Sequence, residues 1–165
     1  SWAQIQEIGL LSSQALVESF GVPEPARSQL LTAQRLNSVR ISAPNGSSAM
    51  LRDQKPLSAR KLARCLTDCD TETWFRILNE RVFFWLCPER LHTLMSAAEY
   101  LEKEHVVLLV STASLLRRWH DQVELAHMNT GNTRPFAHPR GLSTFCRLSD
   151  YPYERRRSLD RKSVV

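Results

Sequence analysis

The chain has 165 residues, a net charge of +5 and 42% apolar residues, which are ordinary values for a globular protein. No apolar run approaches the roughly 20 residues that cross a bilayer, and no basic-then-apolar leader is visible. The composition therefore excludes a membrane-spanning helix and a low-complexity chain, and it indicates one cytoplasmic domain over residues 1–165. The start at Ser1 without a methionine and the strand-like end at Val165 suggest a fragment truncated at both ends.

The first half of the chain is predicted to be mainly helical. Residues 2–8 place apolar side chains at helical spacing before Gly9, and Ser12 or Ser13 can cap the helix that follows. The further elements predicted in this half are helices at residues 24–36, 57–66 and 71–79 and a short strand at residues 39–42.

The second half combines short strands with helices. Residues 82–86 and 106–110 are apolar and rich in aromatic or β-branched side chains, so we predict that 82–86 form a central strand with 106–110 as its neighbour. Pro88 is predicted to start a helix that runs to about Leu101. The remaining predictions are a helix at residues 112–120, strands at 123–126 and 144–148, a helical turn at 153–159 and a last strand at Val164 and Val165. The pattern predicts an α+β fold, with a small, mainly antiparallel sheet in the second half packed with the N-terminal helices.

Catalytic and metal-binding signatures are absent from the sequence. The four cysteines, at positions 65, 69, 87 and 146, lack the regular spacing of zinc ligands, so we predict reduced side chains that form neither a disulfide nor a zinc site. The five histidines are scattered, and each is more typical of a surface or core residue than of a ligand or base. We therefore expect no metal.

Positive charge is concentrated towards the C-terminus. Residues 134–165 contain eight basic and three acidic side chains, a surplus of five that equals the net charge of the whole chain. A basic face of this kind can meet the phosphates of a nucleic acid or a dinucleotide. An ordinary solvated surface is an equally good interpretation.

One candidate ligand site lies at the predicted central strand. Arg81 precedes Phe83, Phe84 and Trp85, and aromatic side chains beside an arginine can stack a planar ring and hold an anion. The alternative is a buried strand with a capping arginine, since alternation fills one side of any strand. A separate run, Arg52-Asp53-Gln54, is typical of a loop clamp, although it could also bind a polar ligand.

A second candidate lies in the polar loop at residues 129–135. Asn129, Thr130, Thr133 and Arg134 can present backbone and side-chain donors to an anion, or they can form a tight turn for backbone reasons. We hypothesise that this loop and Arg81 converge near the aromatic run as an anion-accepting cleft. The competing interpretation is that the arginines pair with nearby aspartates, such as those at positions 53 and 150, and brace loops.

The ordered motifs of the chain resemble a bacterial domain family of unknown function. They are W-x-x-I-x-x-x-G-L-L-S from Trp2, R-D-Q from Arg52, L-N-x-R-V-F-F-W from Leu78, N-T-G-x-T-R-P from Asn129 and D-Y-P-Y from Asp150. Each motif is weak by itself, but together they span almost the whole chain in order.

That family is in turn distantly similar to ADP-ribosyltransferases, in particular the DNA-modifying toxins and the tRNA 2′-phosphotransferases. The resemblance implies an ADP-ribosyltransferase-like fold, NAD as a cofactor and a nucleic acid or protein acceptor, with Arg81 or Arg134 on the diphosphate. It also implies a catalytic histidine and glutamate, which would lie before Ser1 and after Val165, so this chain offers no catalytic assignment. The alternative function is a non-catalytic module that binds a nucleotide, a nucleic acid or a protein.

Overall fold

A computed structural model describes residues 2–96, 100–101 and 104–155 of the chain. These residues form a mixture of helices and short strands with two small antiparallel sheets, which confirms the α+β class. The helices are α1 (Trp2–Ile8), α2 (Ser13–Ser19), α3 (Ala26–Thr32), α4 (Ala59–Cys65), α5 (Thr71–Asn79), α6 (Pro88–Met95) and α7 (Thr112–Trp119). The strands are β1 (Val39–Ser42), β2 (Ser48–Leu51), β3 (Glu124–Ala126) and β4 (Phe145–Arg147).

Local capping signals determine where several helices begin. The Ser12 hydroxyl accepts a hydrogen bond from the Ala15 amide at the start of α2, as predicted. Ser58 and Asp70 cap α4 and α5 in the same way. Helix α1 ends before Gly9, whose φ of +83° favours glycine and stops the helix as expected.

Strands β1 and β2 form a hairpin in the N-terminal half. Val39 pairs with Leu51 at the open end and Ser42 with Ser48 beside the turn. Gly46 provides the positive φ that the turn requires, at +82°. The strand predicted at residues 39–42 is confirmed, whereas the sequence analysis does not predict the returning strand β2.

The described residues contain two apolar clusters. The first joins α2 and α3 to the hairpin through Val17, Phe20, Leu31, Ile41 and Leu51. The second is formed mainly by α4 and α5, and its buried members are Leu57, Leu62, Cys65, Trp74, Phe75 and Leu78. Strands β3 and β4 confirm the strand predictions for residues 123–126 and 144–148. Phe145 of β4 packs against the second cluster, so the small sheet of the second half lies on the helices.

The predicted central strand at residues 82–86 is wrong, and so is its predicted neighbour at 106–110. Both segments lack regular secondary structure and are largely exposed, up to 74% for Leu86 and 95% for Leu109. Strand propensity reflects packing against a paired neighbour, and neither segment is paired within the described part of the chain. Apolar composition alone therefore led to the wrong assignment.

Two predicted helices are shorter than expected. The helix expected over residues 24–36 spans only Ala26–Thr32, with Pro25 at its N-cap and an extended backbone at Ala33. The helix that Pro88 starts ends at Met95 rather than near Leu101. Residues 153–155 are helical as predicted, while the rest of that predicted turn and the strand at Val164 and Val165 lie outside the described residues.

Candidate functional site

Arg81 lies directly after α5 and connects that helix to the sheet of the second half. Its Nη1 donates a hydrogen bond to the Ile77 carbonyl oxygen at 2.8 Å. Its Nε donates to the Glu124 carboxylate of β3 at 2.7 Å. The Glu80 carboxylate is more distant, at 3.9 Å from Nη1. The predicted anion-binding arginine is therefore already paired, although with Glu124 rather than with the aspartates considered from the sequence.

The Arg81 guanidinium also lies over one ring of an aromatic cluster. Its central carbon is 4.5 Å from the centroid of the Phe145 ring. The Phe145 centroid is 5.7 Å from that of Trp74 and 6.3 Å from that of Phe83, and both ring pairs are tilted. Trp74 is fully buried, and its indole Nε1 is the buried side-chain polar atom without a hydrogen-bond partner among the described residues. Residues of α5, β3 and β4 thus hold the Arg81 guanidinium against a cluster of tilted aromatic rings.

The predicted aromatic ligand residues are exposed. Phe83, Phe84 and Trp85 have 51%, 44% and 41% of their surface accessible, in the segment of residues 82–86 that we call the aromatic segment. Singly exposed apolar side chains are normal, whereas a large contiguous exposed apolar patch is typical of interaction surfaces. The expectation that one face of this run is core does not hold, since all three rings remain accessible.

Buried side chains anchor the polar loop at residues 129–135 to the rest of the domain. The Thr133 hydroxyl is fully buried, and it accepts a hydrogen bond from the Ser58 amide at 2.8 Å. Asn129 accepts from the Gly131 amide, an arrangement that favours the tight-turn interpretation. Thr130 is also buried, whereas Arg134 is exposed and forms no ion pair among the described residues.

The two predicted halves of the cleft contact different elements. Arg81 is held by α5 and the sheet, while the loop is anchored to the start of α4 through Thr133. Their convergence in one cleft stays a prediction. The loop instead contacts Arg140, which is 3% exposed and donates to the Thr130 carbonyl oxygen of the loop and to the His138 carbonyl oxygen. Sequence reasoning counted Arg140 among the surface cations, and nothing in its local sequence signals burial.

The Arg52-Asp53-Gln54 run belongs to a clamp centred on a residue that the sequence did not single out. The buried Arg35 side chain donates to the Arg52 carbonyl oxygen, and its backbone amide donates to the Gln54 side chain. Burial lowers the pKa of Arg35, and the nearby Asp53 carboxylate opposes that change. The loop-clamp interpretation of this motif is therefore the one that the contacts support.

Other exposed cations also lie on aromatic rings. Arg52 is 5.2 Å from the Tyr100 ring centroid, and Arg118 is 4.8 Å from that of Trp119. A shallow depression of about 430 Å³ is lined by the consecutive residues 151–155, which include none of the predicted ligand residues. The aromatic segment beside Arg81 is therefore the better candidate site.

The described cysteines and potential metal ligands form neither a disulfide nor a metal-binding group. All four cysteines are free thiols. Burial raises the pKa of Cys69, and the carboxylates of Asp68 and Asp70 add to this effect, so its thiol is a poor nucleophile at neutral pH. Within residues 2–96, 100–101 and 104–155, no group of histidine, cysteine and acidic side chains is arranged to hold a metal ion. Over the same residues, every helix is too short or too polar to cross a membrane.

These features define an α+β domain with an arginine that lies over an aromatic cluster next to an exposed aromatic segment. A family model matches residues 1–165, and the chain belongs to that family, which is described as a family of unknown function (DUF7002). Comparison with curated proteins gave no match, and comparison with solved structures gave none either.

Proposed function

We propose that this chain binds a nucleotide, with NAD as the ligand, and that it acts as an ADP-ribosyltransferase-like domain on nucleic acid or protein. The observation that carries the proposal is the position of the Arg81 guanidinium, 4.5 Å over Phe145, whose ring centroid is 6.3 Å from that of the exposed Phe83. We further propose a cytoplasmic location, which the free cysteine thiols support.

The aromatic segment suits the planar parts of a dinucleotide. Stacking of a base on an aromatic side chain contributes about 1–3 kcal/mol, and it does not depend on which base is bound. Arginine suits the diphosphate, because its planar fork can grip two oxygens at once. Loss of nicotinamide leaves an oxocarbenium-like centre, so a transferase must hold the ring and diphosphate while charge develops on the sugar. The transfer reaction itself rests on the motif resemblance, and no described residue is assigned to it.

Calorimetric titration with NAD, ADP and AMP tests the binding step. We expect Trp85→Ala to weaken NAD binding roughly tenfold or more, since one stacking partner is lost. Trp119→Ala is a matched control, because Trp119 is 43% exposed and Trp85 41%, but Trp119 lies at the end of α7. Equal effects of the two substitutions, or no binding of any nucleotide by the unaltered chain, would show that the proposal is wrong.

An assay that monitors the release of nicotinamide from NAD by chromatography distinguishes an enzyme from a non-catalytic binding module.

The second candidate function is a non-catalytic module for a nucleotide, nucleic acid or protein. Exposure of Val106 and Leu109, at 85% and 95%, favours a protein partner, because aliphatic side chains cannot stack a base. The Arg118–Trp119 pair favours single-stranded nucleic acid instead. Binding of a labelled oligonucleotide, measured by anisotropy and reduced by Trp119→Ala, would support the latter.

A further inference from the structure

Arg81 is the cation of the proposed site, yet two of its three nitrogens are already engaged. Nε is bonded to the Glu124 carboxylate and Nη1 to the Ile77 carbonyl oxygen. Nη2 has no hydrogen-bond partner among the described residues. The side chain is 28% exposed, so solvent and small anions can reach part of it.

Glu124 blocks one of the two ways in which an arginine grips an anion with two hydrogen bonds. The side-on grip uses Nε together with Nη2, and the end-on grip uses Nη1 together with Nη2. Nε carries a single hydrogen, so its bond to Glu124 occupies the side-on edge, whereas Nη1 carries two hydrogens and the bond to Ile77 uses one of them. A side-on contact with two hydrogen bonds therefore forms only after Glu124 leaves Nε.

Glu124 is the partner that can leave. The Ile77 oxygen is part of the backbone of α5, whereas the Glu124 carboxylate is a side chain with 30% of its surface exposed. Water can solvate a released carboxylate at this exposure, so the loss of this ion pair is partly offset by hydration. A ligand phosphate offers Arg81 an equivalent charge-assisted bond and can replace it.

We infer that Glu124 is an inhibitory latch, which occupies the side-on edge of Arg81 and must be displaced before a phosphate-containing ligand is held there. This inference rests on the proposed function, since it concerns the same Arg81 site. It adds that a side chain of the protein, Glu124, lowers the affinity of the site for a phosphate-containing ligand. Glu124 is therefore an affinity-setting residue that competes with the ligand rather than one that contacts it.

The test compares Glu124→Gln with the unaltered chain in titrations with NAD and, separately, with inorganic pyrophosphate. Glutamine keeps the size of the side chain but removes the charge that repels phosphate and strengthens the bond to Nε. We expect both ligands to bind about fivefold more tightly to Glu124→Gln, the factor that corresponds to the upper range of a partly exposed ion pair.

Two variants make the comparison specific. Glu80→Gln removes the same charge from a neighbour that lies 3.9 Å from Nη1, so it controls for a general change in local charge. Arg81→Gln in the Glu124→Gln background should abolish the gain, because the released edge is then absent. The melting temperature of each variant shows whether it is folded under the conditions in which the affinities are compared.

The possible outcomes separate this inference from the proposed function. Tighter pyrophosphate binding by Glu124→Gln alone, without any NAD binding, would support the latch and reject NAD as the ligand. NAD binding that Glu124→Gln leaves unchanged or weakens would overturn the latch and retain the proposed function. An equal gain in Glu80→Gln would also overturn the latch, and failure of both ligands to bind any variant would overturn both proposals.

Discussion

Arg35 donates a hydrogen bond from Nη2 to the side-chain oxygen of Asn79 at 3.0 Å, although the two residues are 44 positions apart in the sequence. Both side chains are buried. The Asn79 amide nitrogen also donates to the Leu31 carbonyl oxygen at 2.8 Å. One asparagine at the end of α5 thus satisfies a buried arginine and a carbonyl at the end of α3. The contact joins the N-terminal helices to the region that carries the candidate site.

Asn79→Ala is expected to lower the free energy of unfolding by about 2–3 kcal/mol, because Arg35 and Leu31 are left with unsatisfied buried polar groups. Chemical denaturation measures this loss. Asn37→Ala is the control, since Asn37 is exposed, and we expect it to change stability by less than about 0.5 kcal/mol. Equal losses in the two variants would show that the Arg35–Asn79 contact is not the cause.

Local features of this fold were predictable from the sequence, and long-range pairings were not. Ser12 and Gly9 act within a few residues of themselves, so the start of α2 and the end of α1 follow from neighbouring side chains. The Asn79 partner of Arg35 and the Glu124 partner of Arg81 lie 44 and 43 positions away, and no local pattern specifies them. The prediction that the aromatic segment is a strand was wrong for the same reason, since a strand needs a paired neighbour and composition does not specify one.

Stability should depend on pH through the carboxylate of Asp70. Its pKa is lowered from the usual 3.8, because the carboxylate accepts a backbone hydrogen bond from Thr73 at the start of α5. A lowered pKa means that the stabilisation is fully present above pH 3.8 and is lost as the pH falls through the lower folded-state value.

The measurement that isolates this effect is the difference in melting temperature between the unaltered chain and Asp70→Asn as a function of pH. Asparagine also caps helices but carries no charge, so the difference reports the carboxylate. We expect the unaltered chain to lose its advantage as the pH is lowered below about 4. An advantage that stays constant down to acid pH would contradict this assignment.

Gly141 is required for space rather than for backbone conformation. Its φ of −176° is extended backbone that any residue adopts, but a Cβ there would collide with the side chains of Asp68 and Thr67. We expect Gly141→Ala to cost about 1–3 kcal/mol of unfolding free energy. Gly131→Ala is the matched control, since the nearest atom to its added Cβ is 3.7 Å away, an ordinary contact.

A double-mutant cycle tests the cause of the Gly141 effect. Asp68 also accepts a hydrogen bond from the Leu142 amide at 2.8 Å, so Asp68→Ala carries a cost of its own. Once the Asp68 side chain is shortened, Gly141→Ala should cost less than it does in the unaltered chain. Strictly additive losses would mean that the collision with Asp68 is not what destabilises the variant.

Substitutions at two neighbouring residues of the polar loop distinguish a structural role of the loop from a role in ligand binding. The buried Thr133 hydroxyl accepts from the Ser58 amide, so Thr133→Val should lower stability by about 1–3 kcal/mol, while Thr133→Ser should retain most of it. Arg134 is exposed, so Arg134→Ala should leave the melting temperature nearly unchanged. If the loop contributes to the anion site, the same Arg134→Ala substitution weakens NAD binding, measured by calorimetry. Unchanged affinity in a fully folded Arg134→Ala variant would restrict the site to the surroundings of Arg81 and leave the loop a structural role alone.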